Sequence, residues 1–205
     1  DDVESRGLGD VYKRQVYMLN ICGIIAFFMM YIYDLNLIYL GNKIFKKFFA
    51  IGSIILVFAT LANIIIYFPK KIDAHFIIFL GLALLAAIGL IYTLFFALKF
   101  DDAYKNTENK QPCVKTGVYA LCRHPGVHMM ILMYLCLYLA FQNETMLFML
   151  IGFNLLNIGY VILQDIIIFP KQFVDYDEYK KIVPFLVPTI KSIRSCIRTF
   201  GEVSK

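Results

Sequence analysis

The sequence predicts an all-α fold: a polytopic membrane helical bundle with about five transmembrane helices and a cytoplasmic amphipathic helix near the C-terminus. The 205 residues are 60% hydrophobic and only 17% charged, with a mean hydropathy of +0.68. Five apolar segments approach the length of roughly 20 residues that crosses a bilayer as a helix. Few residues are left for a soluble catalytic domain, so any active site must be built from helix ends and loops.

The first 15 residues need a separate interpretation. Residues 5–15 read SRGLGDVYKRQ, and a back-translation of this stretch resembles a transposon adapter from sequencing libraries, read in frame. We therefore interpret residues 1–15 as a non-native, adapter-derived segment and residues 16–205 as a single integral membrane domain. The alternative is a polar natural tail. If the adapter interpretation holds, the natural start of the chain could be missing.

The apolar segments follow one another with short polar interruptions. In order they are residues 16–33 with an extension to 40 left open, 48–68, 75–98, 125–141 and 145–169. Pro69 and Pro170 are expected to end the second and fifth helices. Pro125 suits the first position of the fourth helix, because its missing N–H is not needed there. Residues 142–144 predict a tight turn that joins the fourth and fifth helices in a hairpin.

Lysine and arginine are distributed unequally between the two sides of this bundle. With five spans, one side carries 15 of them in three regions. They are Lys43, Lys46 and Lys47; Lys99, Lys105, Lys110, Lys115 and Arg123; and Lys171, Lys180, Lys181, Lys191, Arg194, Arg198 and Lys205. The other side carries only Lys70 and Lys71 once residues 1–15 are set aside. The positive-inside rule then predicts that the richer side faces the cytoplasm, and we expect a bacterial cytoplasmic (inner) membrane.

The net charge and the cysteines narrow the possible functions. A net charge of +5 indicates loop lysines that face anionic lipid, and no nucleic-acid partner is expected. The five cysteines lack the spacing of a zinc site, and their odd number favours free thiols over a disulfide framework. No metal site is therefore expected.

The polar tail predicts one more helix. Apolar residues recur at helical spacing among acidic and basic ones: Phe173, Tyr176, Tyr179, Ile182 and Val183. This pattern indicates an amphipathic helix that lies on the membrane or against the bundle. Pro184 and Pro188 are expected to end it.

A basic stretch precedes the fourth apolar segment. Residues 121–128 read LCRHPGVH, with Arg123 just before the helix that Pro125 opens. The free N–H groups and the positive dipole end of that helix, together with Arg123, favour a carboxylate or phosphate ligand. Alternatively, Arg123 and His124 only anchor the helix to lipid headgroups.

Polar residues in the fifth segment favour a site at the same depth. Asn154, Asn157, Gln164 and Asp165 fall largely on one helical face, where polar residues usually meet the bundle or a cavity. Asp165 lies one turn from the cytoplasmic end and could hold a cationic ligand group or pair with Arg123. The asparagines could instead bond between helices. In the first segment, Asp34 is expected at the membrane interface.

Three tyrosines complete the candidate site. Tyr119, Tyr176 and Tyr179 could line a cage for a cation, or they could be ordinary tyrosines of a membrane interface.

Two motifs resemble one known family. Residues 116–125, TGVYALCRHP, resemble the G-x-Y-x-x-x-R-H-P signature of the isoprenylcysteine carboxyl methyltransferase and phospholipid N-methyltransferase family. Residues 173–184, FVDYDEYKKIVP, are similar to that family's F-G-x-x-Y-x-x-Y-x-x-x-V-P ending. The resemblance covers roughly residues 116–188, with the expected helical hairpin between the two motifs.

The resemblance implies methyl transfer from S-adenosylmethionine to a lipid-like or prenylated acceptor at the cytoplasmic membrane face. It assigns catalysis to Arg123, His124 and Asp165. It assigns cofactor binding to Gly117, Tyr119, Arg123, His124, Pro125, Asp165, Tyr176 and Tyr179. Arginine suits the carboxylate of the cofactor, aspartate its ammonium group and tyrosine faces its sulfonium. An amine acceptor would require His124 or Asp165 to take a proton, whereas a carboxylate or thiolate would not.

The chain departs from the family pattern at four positions. Val127 replaces a tyrosine, Met129 and Val174 replace glycines, and Gln164 stands where an acidic pair is usual. The gap before Tyr176 is also one residue short. A degenerate, non-catalytic membrane protein is therefore one alternative.

A second alternative is a membrane reductase that uses NADPH on a sterol or another enone lipid. A dinucleotide needs several cationic groups for its phosphates. The 100–124 loop supplies Lys105, Lys110, Lys115 and Arg123 but no glycine-rich turn, which favours the methyltransferase.

Overall fold

A computed structural model describes residues 2–97 and 112–200, and this part of the chain is all-helical. Its helices are α1 (Asp2–Leu35), α2 (Phe48–Ile66), α3 (Ala74–Ile91), α4 (Val118–Leu121), α5 (Pro125–Phe141), α6 (Glu144–Gln172), α7 (Tyr176–Ile182) and α8 (Ile190–Thr199). A π-helical turn extends α1 over Asn36–Leu40, and another extends α3 over Tyr92–Phe96. A 3-10 turn, Phe45–Lys47, precedes α2.

Four helical stretches in the described residues are long and apolar enough to cross a membrane: Arg14–Leu40, Phe45–Ile66, Ala74–Phe96 and Glu144–Gln172. The remaining apolar helix, α5, is shorter at 17 residues. Each of the five predicted apolar segments thus coincides with an apolar helix, but only four have the length of a span. A fifth crossing by α5 stays a prediction.

Some predicted features fall outside the described residues. Lys99, Lys105, Lys110 and Lys205 lie there, as does the end of the third segment at residue 98. At the other end of the chain, α1 begins at Asp2, inside the segment interpreted as adapter-derived. The origin of that segment stays a prediction.

The bundle is built from two helix pairs joined by α6. Helix α1 packs along α2, α3 packs along α5, and α6 contacts both α1 and α5. Aromatic and methionine side chains fill the centre, where Phe27, Tyr134, Met146, Met149 and Phe153 are fully buried. Much of the outer surface of α2 and α3 is exposed isoleucine, leucine and phenylalanine, as expected for helices that face lipid.

The predicted hairpin between the fourth and fifth apolar segments is present. Gln142 ends α5 with a left-handed backbone conformation (φ 49°), and its N–H donates to the carbonyl of Tyr138. The side chain of Asn143 then accepts a hydrogen bond from the N–H of Met146 and caps the start of α6. These two adjacent caps reverse the chain within the turn.

Helix α6 does not end at Pro170, as the sequence predicted, but continues to Gln172. The π-helical turn Gln164–Ile168 lies just before the proline and changes the register of the backbone hydrogen bonds. Pro170 therefore lies in the first turn of the last helical segment, where a missing N–H is tolerated.

The polar tail forms two short helices. The first, α7, covers most of the predicted amphipathic stretch, and its Tyr176 and Tyr179 are buried against the bundle. The second, α8, follows the two prolines and packs on α4. The cytoplasmic position of both helices stays a prediction.

Helices α1 and α2 approach each other closely at Gly52. A Cβ atom at this position would lie 2.7 Å from the backbone oxygen of Ala26. Small residues at such crossings allow backbones to come together, and this packing is a main source of stability between helices in a membrane.

We predict that Gly52→Leu destabilises the protein by about 1–3 kcal/mol, because the added side chain forces α1 and α2 apart. The matched control is Gly81→Leu on α3, where a Cβ atom would meet nothing within 4 Å. Chemical unfolding of both variants in detergent micelles, followed by circular dichroism, measures the difference. Equal losses in the two variants would contradict the close α1–α2 packing.

Candidate functional site

The candidate site is centred on Arg123, in the short loop between α4 and α5. The backbone N–H of Arg123 donates to the carbonyl of Pro184 (2.9 Å), so this loop is tied to the chain after α7. His124 is the N-cap residue of α5, and Pro125 occupies its first turn as predicted. The loop therefore directs the Arg123 side chain towards the end of α6 and the tail.

Arg123 forms a two-point ion pair with Asp165 of α6. Its Nε lies 2.7 Å from Oδ1, and its second terminal nitrogen lies 3.2 Å from Oδ2. Both side chains are less than one-tenth exposed. Such a bidentate arrangement is the strongest common pairing of arginine with a carboxylate.

The other terminal nitrogen of Arg123 binds backbone. It donates to the carbonyl of Val183 at 2.8 Å and to that of Lys180 at 3.3 Å. Four hydrogen bonds thus use four of the five N–H groups of a guanidinium. One side chain joins the start of α5, the end of α6 and the end of α7.

Asp165 has two further partners from the tail. The hydroxyl of Tyr176 donates to Oδ1 at 2.6 Å, and the Lys180 ammonium lies 3.5 Å from Oδ2. Burial, and then the hydrogen bond to the carboxylate, raise the pKa of Tyr176 far above its ordinary value. Tyr176 is therefore a neutral hydrogen-bond donor and not a base.

The ring of His124 lies between two aromatic side chains. It stacks on Phe169 (ring centroids 5.6 Å apart) and meets Phe185 edge to face (5.3 Å). Its Nε2 is 3.6 Å from Oδ1 of Asp165 and has no hydrogen-bond partner within the described ranges. Burial lowers the pKa of His124, and the nearby carboxylate only partly opposes this. The imidazole is consequently neutral at pH 7.

Tyr119, Tyr179 and Gly117 form a second layer behind the ion pair. The hydroxyl of Tyr179 donates to the carbonyl of Tyr119 (2.7 Å), and the Tyr119 hydroxyl donates to the carbonyl of Thr93 (2.8 Å). Gly117 has φ 59°, which favours glycine, and its N–H donates to Thr199 of α8 (3.0 Å). These contacts fix the backbone that leads to Arg123.

The cysteines next to the site are not nucleophiles in this environment. Burial raises the pKa of the Cys122 thiol to about 11 and that of Cys113 to about 12. Both remain protonated near neutral pH, and only a thiolate reacts readily.

The structure therefore brings four of the predicted site residues into one cluster. Gly117, Tyr119 and Tyr179 lie next to it. Arg123, Asp165 and Tyr176 are hydrogen-bonded, with His124 beside them. Whether these residues bind a cofactor or take part in catalysis stays a prediction. Two shallow surface pockets of the described residues lie elsewhere, one on α6 and the other on α8.

Asp34, which was expected at the membrane interface, is 5% exposed and accepts a hydrogen bond from Gln164 at 2.8 Å. Its depth in a membrane stays a prediction. Gln164 and Asp165 are consecutive residues of α6, so their side chains point in different directions around the helix, Gln164 to Asp34 of α1 and Asp165 to Arg123.

The sequence did not single out Lys180, Phe169 or Phe185. Lys180 reaches Asp165, and the two phenylalanines enclose His124. Lys180 lies one helical turn after Tyr176, a spacing that could have indicated a shared partner. Phe169 and Phe185 lie among many other apolar residues, so no sequence signal distinguished them.

The fold and the cluster define a class: an α-helical membrane protein with a buried, charged cluster at one end of its bundle. Comparisons of the chain with protein-family models, with curated proteins and with solved structures find no match. The function has to be argued from the residues themselves.

We predict that Asp165→Asn costs about 3–5 kcal/mol of stability, because it leaves the Arg123 charge buried without its counter-ion. Adding Arg123→Gln should recover part of this loss. The control is Lys115→Gln: Lys115 also contacts a carboxylate, Asp175, at 2.6 Å, but both side chains are partly exposed. That variant should lose about 0–1 kcal/mol.

A double-mutant cycle measures the coupling: the unmodified chain, Asp165→Asn, Arg123→Gln and the double variant are unfolded in one detergent, with Lys115→Gln alongside. Additive losses from Asp165→Asn and Arg123→Gln would contradict a tight pair.

We also predict a stability change that depends on His124. Its folded pKa is lowered, so the unfolded chain, with a pKa of about 6.5, binds the proton first as the pH falls. The stabilisation is therefore complete above about pH 6.5 and declines below it. His124→Phe, which keeps an aromatic ring, should flatten this decline, whereas the control His128→Gln should not.

Melting temperatures of the three proteins between pH 5 and pH 8, values that bracket the ordinary pKa of about 6.5, provide the measurement. An unchanged profile in His124→Phe would show that His124 is not the responsible group.

Proposed function

We propose that the chain is an integral membrane methyltransferase that uses S-adenosylmethionine and acts on a lipid-like or prenylated acceptor. One observation supports this above all. Arg123, Asp165 and Tyr176 come from distant parts of the sequence and meet at one end of the bundle, where the resemblance to membrane methyltransferases requires a cofactor region.

We propose that the end of the bundle that carries the Arg123 cluster faces the cytoplasm. The C-terminal ends of α1, α3 and α6 contact one another or the site loop, as in the Lys171–Tyr39 hydrogen bond (2.6 Å) and the Tyr119–Thr93 hydrogen bond (2.8 Å). Most of the lysines and arginines of the described loops belong to this end. The positive-inside rule supports its cytoplasmic placement.

The residues of the cluster fit the cofactor in kind. The cofactor supplies an electrophilic methyl group on a sulfonium. Arg123 and Lys180 are suited to its carboxylate, Asp165 to its ammonium group, and the tyrosine rings to the cationic sulfur. In this structure the charged groups satisfy one another, so ligand binding has to replace some of the Arg123–Asp165 hydrogen bonds.

His124 is the residue of the cluster that is proposed to accept a proton. It is neutral and buried, and its Nε2 has no hydrogen-bond partner in the part of the chain that is described. A neutral imidazole can accept a proton from an amine acceptor. An acceptor that is already a carboxylate or thiolate would need only positioning.

A second candidate is a membrane protein without catalytic activity, in which the cluster only holds the tail against the bundle. The saturation of Arg123 favours it, since four of its N–H groups already bind protein atoms. For the NADPH reductase, no comparable observation exists among the described residues.

We predict that S-adenosylhomocysteine raises the melting temperature of the protein purified in detergent. At a ligand concentration of 100 times its Kd, the expected stabilisation is about 2.7 kcal/mol. Arg123→Ala should abolish the ligand-induced shift, and Lys115→Gln should retain it. Because Arg123→Ala is itself destabilising, each shift is measured from the unliganded midpoint of the same variant.

NADPH is tested in parallel. A shift with NADPH alone would replace the methyltransferase by the reductase. No shift with either ligand would favour the non-catalytic candidate.

A further inference from the structure

Helix α8 exposes its isoleucines and buries its hydroxyl residues. Ile190 and Ile197 are 71% and 73% exposed, and Ile193 is exposed as well. Ser192 and Thr199, in contrast, are buried. A helix on the surface of a soluble domain has the opposite arrangement.

Hydrogen bonds explain why the polar face points inward. Thr199 accepts from the N–H of Gly117 at 3.0 Å and donates to the carbonyl of Ser195 at 2.8 Å. Ser192 and Thr189 form a reciprocal capping box at the start of the helix. The polar face therefore attaches α8 to the protein, and the apolar face points outward.

A basic ridge runs beside the apolar one. Ile190, Ile193 and Ile197 recur at positions i, i+3 and i+7, and Lys191, Arg194 and Arg198 follow the same spacing. Each set consequently forms one ridge along the helix. A shallow groove lies within the basic ridge, lined by its three cations and Ser195. Helix α8 contains no acidic residue.

The position of α8 places these ridges near the membrane surface. It packs on α4, which is separated from the apolar helix α5 by only three residues. Phe200 after α8 and Val187 before it are exposed apolar residues as well. The apolar ridge thus lies close to the level at which α5 begins.

We propose that α8 is an interfacial helix that binds anionic phospholipids of the same membrane. The isoleucine ridge enters the boundary between headgroups and acyl chains, and Lys191, Arg194 and Arg198 contact lipid phosphates. The combination of exposed apolar residues with cations that form no ion pair among the described residues fits an anionic lipid surface better than a second protein. This inference is independent of methyl transfer.

The absence of tryptophan from the chain makes a direct test simple. Ile197→Trp introduces a single tryptophan on the apolar ridge, and Ser195→Trp introduces one on the groove side as the matched control. The full chain is reconstituted in nanodiscs of phosphatidylcholine with and without phosphatidylglycerol. Quenching by lipids brominated in the upper acyl chain then reports the depth of each tryptophan.

We expect a blue-shifted emission and strong quenching for Ile197→Trp, and a weaker effect for Ser195→Trp. Phosphatidylglycerol should increase the quenching of Ile197→Trp, and added salt should reverse this increase. Combining Ile197→Trp with Lys191→Gln, Arg194→Gln and Arg198→Gln should remove the dependence on phosphatidylglycerol.

Three results would overturn the proposal. The first is equal quenching at positions 197 and 195. The second is quenching of Ile197→Trp that does not depend on phosphatidylglycerol. The third is a blue shift without quenching, which would show that protein, such as a second copy of the chain, covers the ridge.

Discussion

The buried ion pair between Arg123 and Asp165 organises one end of the molecule. Removing two charges from water costs several kcal/mol for each ion, and only complete hydrogen bonding offsets this cost. The carbonyls of Lys180 and Val183 and the hydroxyl of Tyr176 complete the pair. All three partners belong to α7 or directly follow it, so the same contacts that satisfy the charges also fix the tail against α5 and α6.

This arrangement sets a condition on any function at the site. A pre-formed cluster orients its groups without further ordering, which favours ligand binding. The groups are, however, already paired. A ligand that breaks the Arg123–Asp165 hydrogen bonds must therefore offer a carboxylate to Arg123 and a cation to Asp165. A zwitterionic amino-acid moiety meets this condition, whereas a ligand with phosphates alone would leave Asp165 with only Lys180 as a nearby cation.

The parts of the fold that depend on local chemistry could be predicted, and the parts that depend on tertiary contacts could not. The positions of the apolar helices follow from hydropathy, and the start of α5 follows from Pro125. The common depth of Arg123 and Asp165 follows from their positions near the same ends of two neighbouring apolar segments. The π-helical turn over Gln164–Ile168 has no such signal. The burial of Asp34 likewise depends on a tertiary contact, its hydrogen bond from Gln164 of α6.

The tail shows how burial rules depend on the surrounding solvent. In α7 the tyrosines face inward because their hydroxyls find partners in Asp165 and the Tyr119 carbonyl. In α8 the inward face consists of hydroxyl residues, and the isoleucines face outward. An outward apolar ridge is favoured where the surroundings are themselves apolar, as at a bilayer. Because Thr199 binds Gly117, six residues before Arg123, the lipid-facing helix and the charged cluster are attached to the same backbone segment. A change in how α8 contacts lipid would therefore act on the loop that positions Arg123.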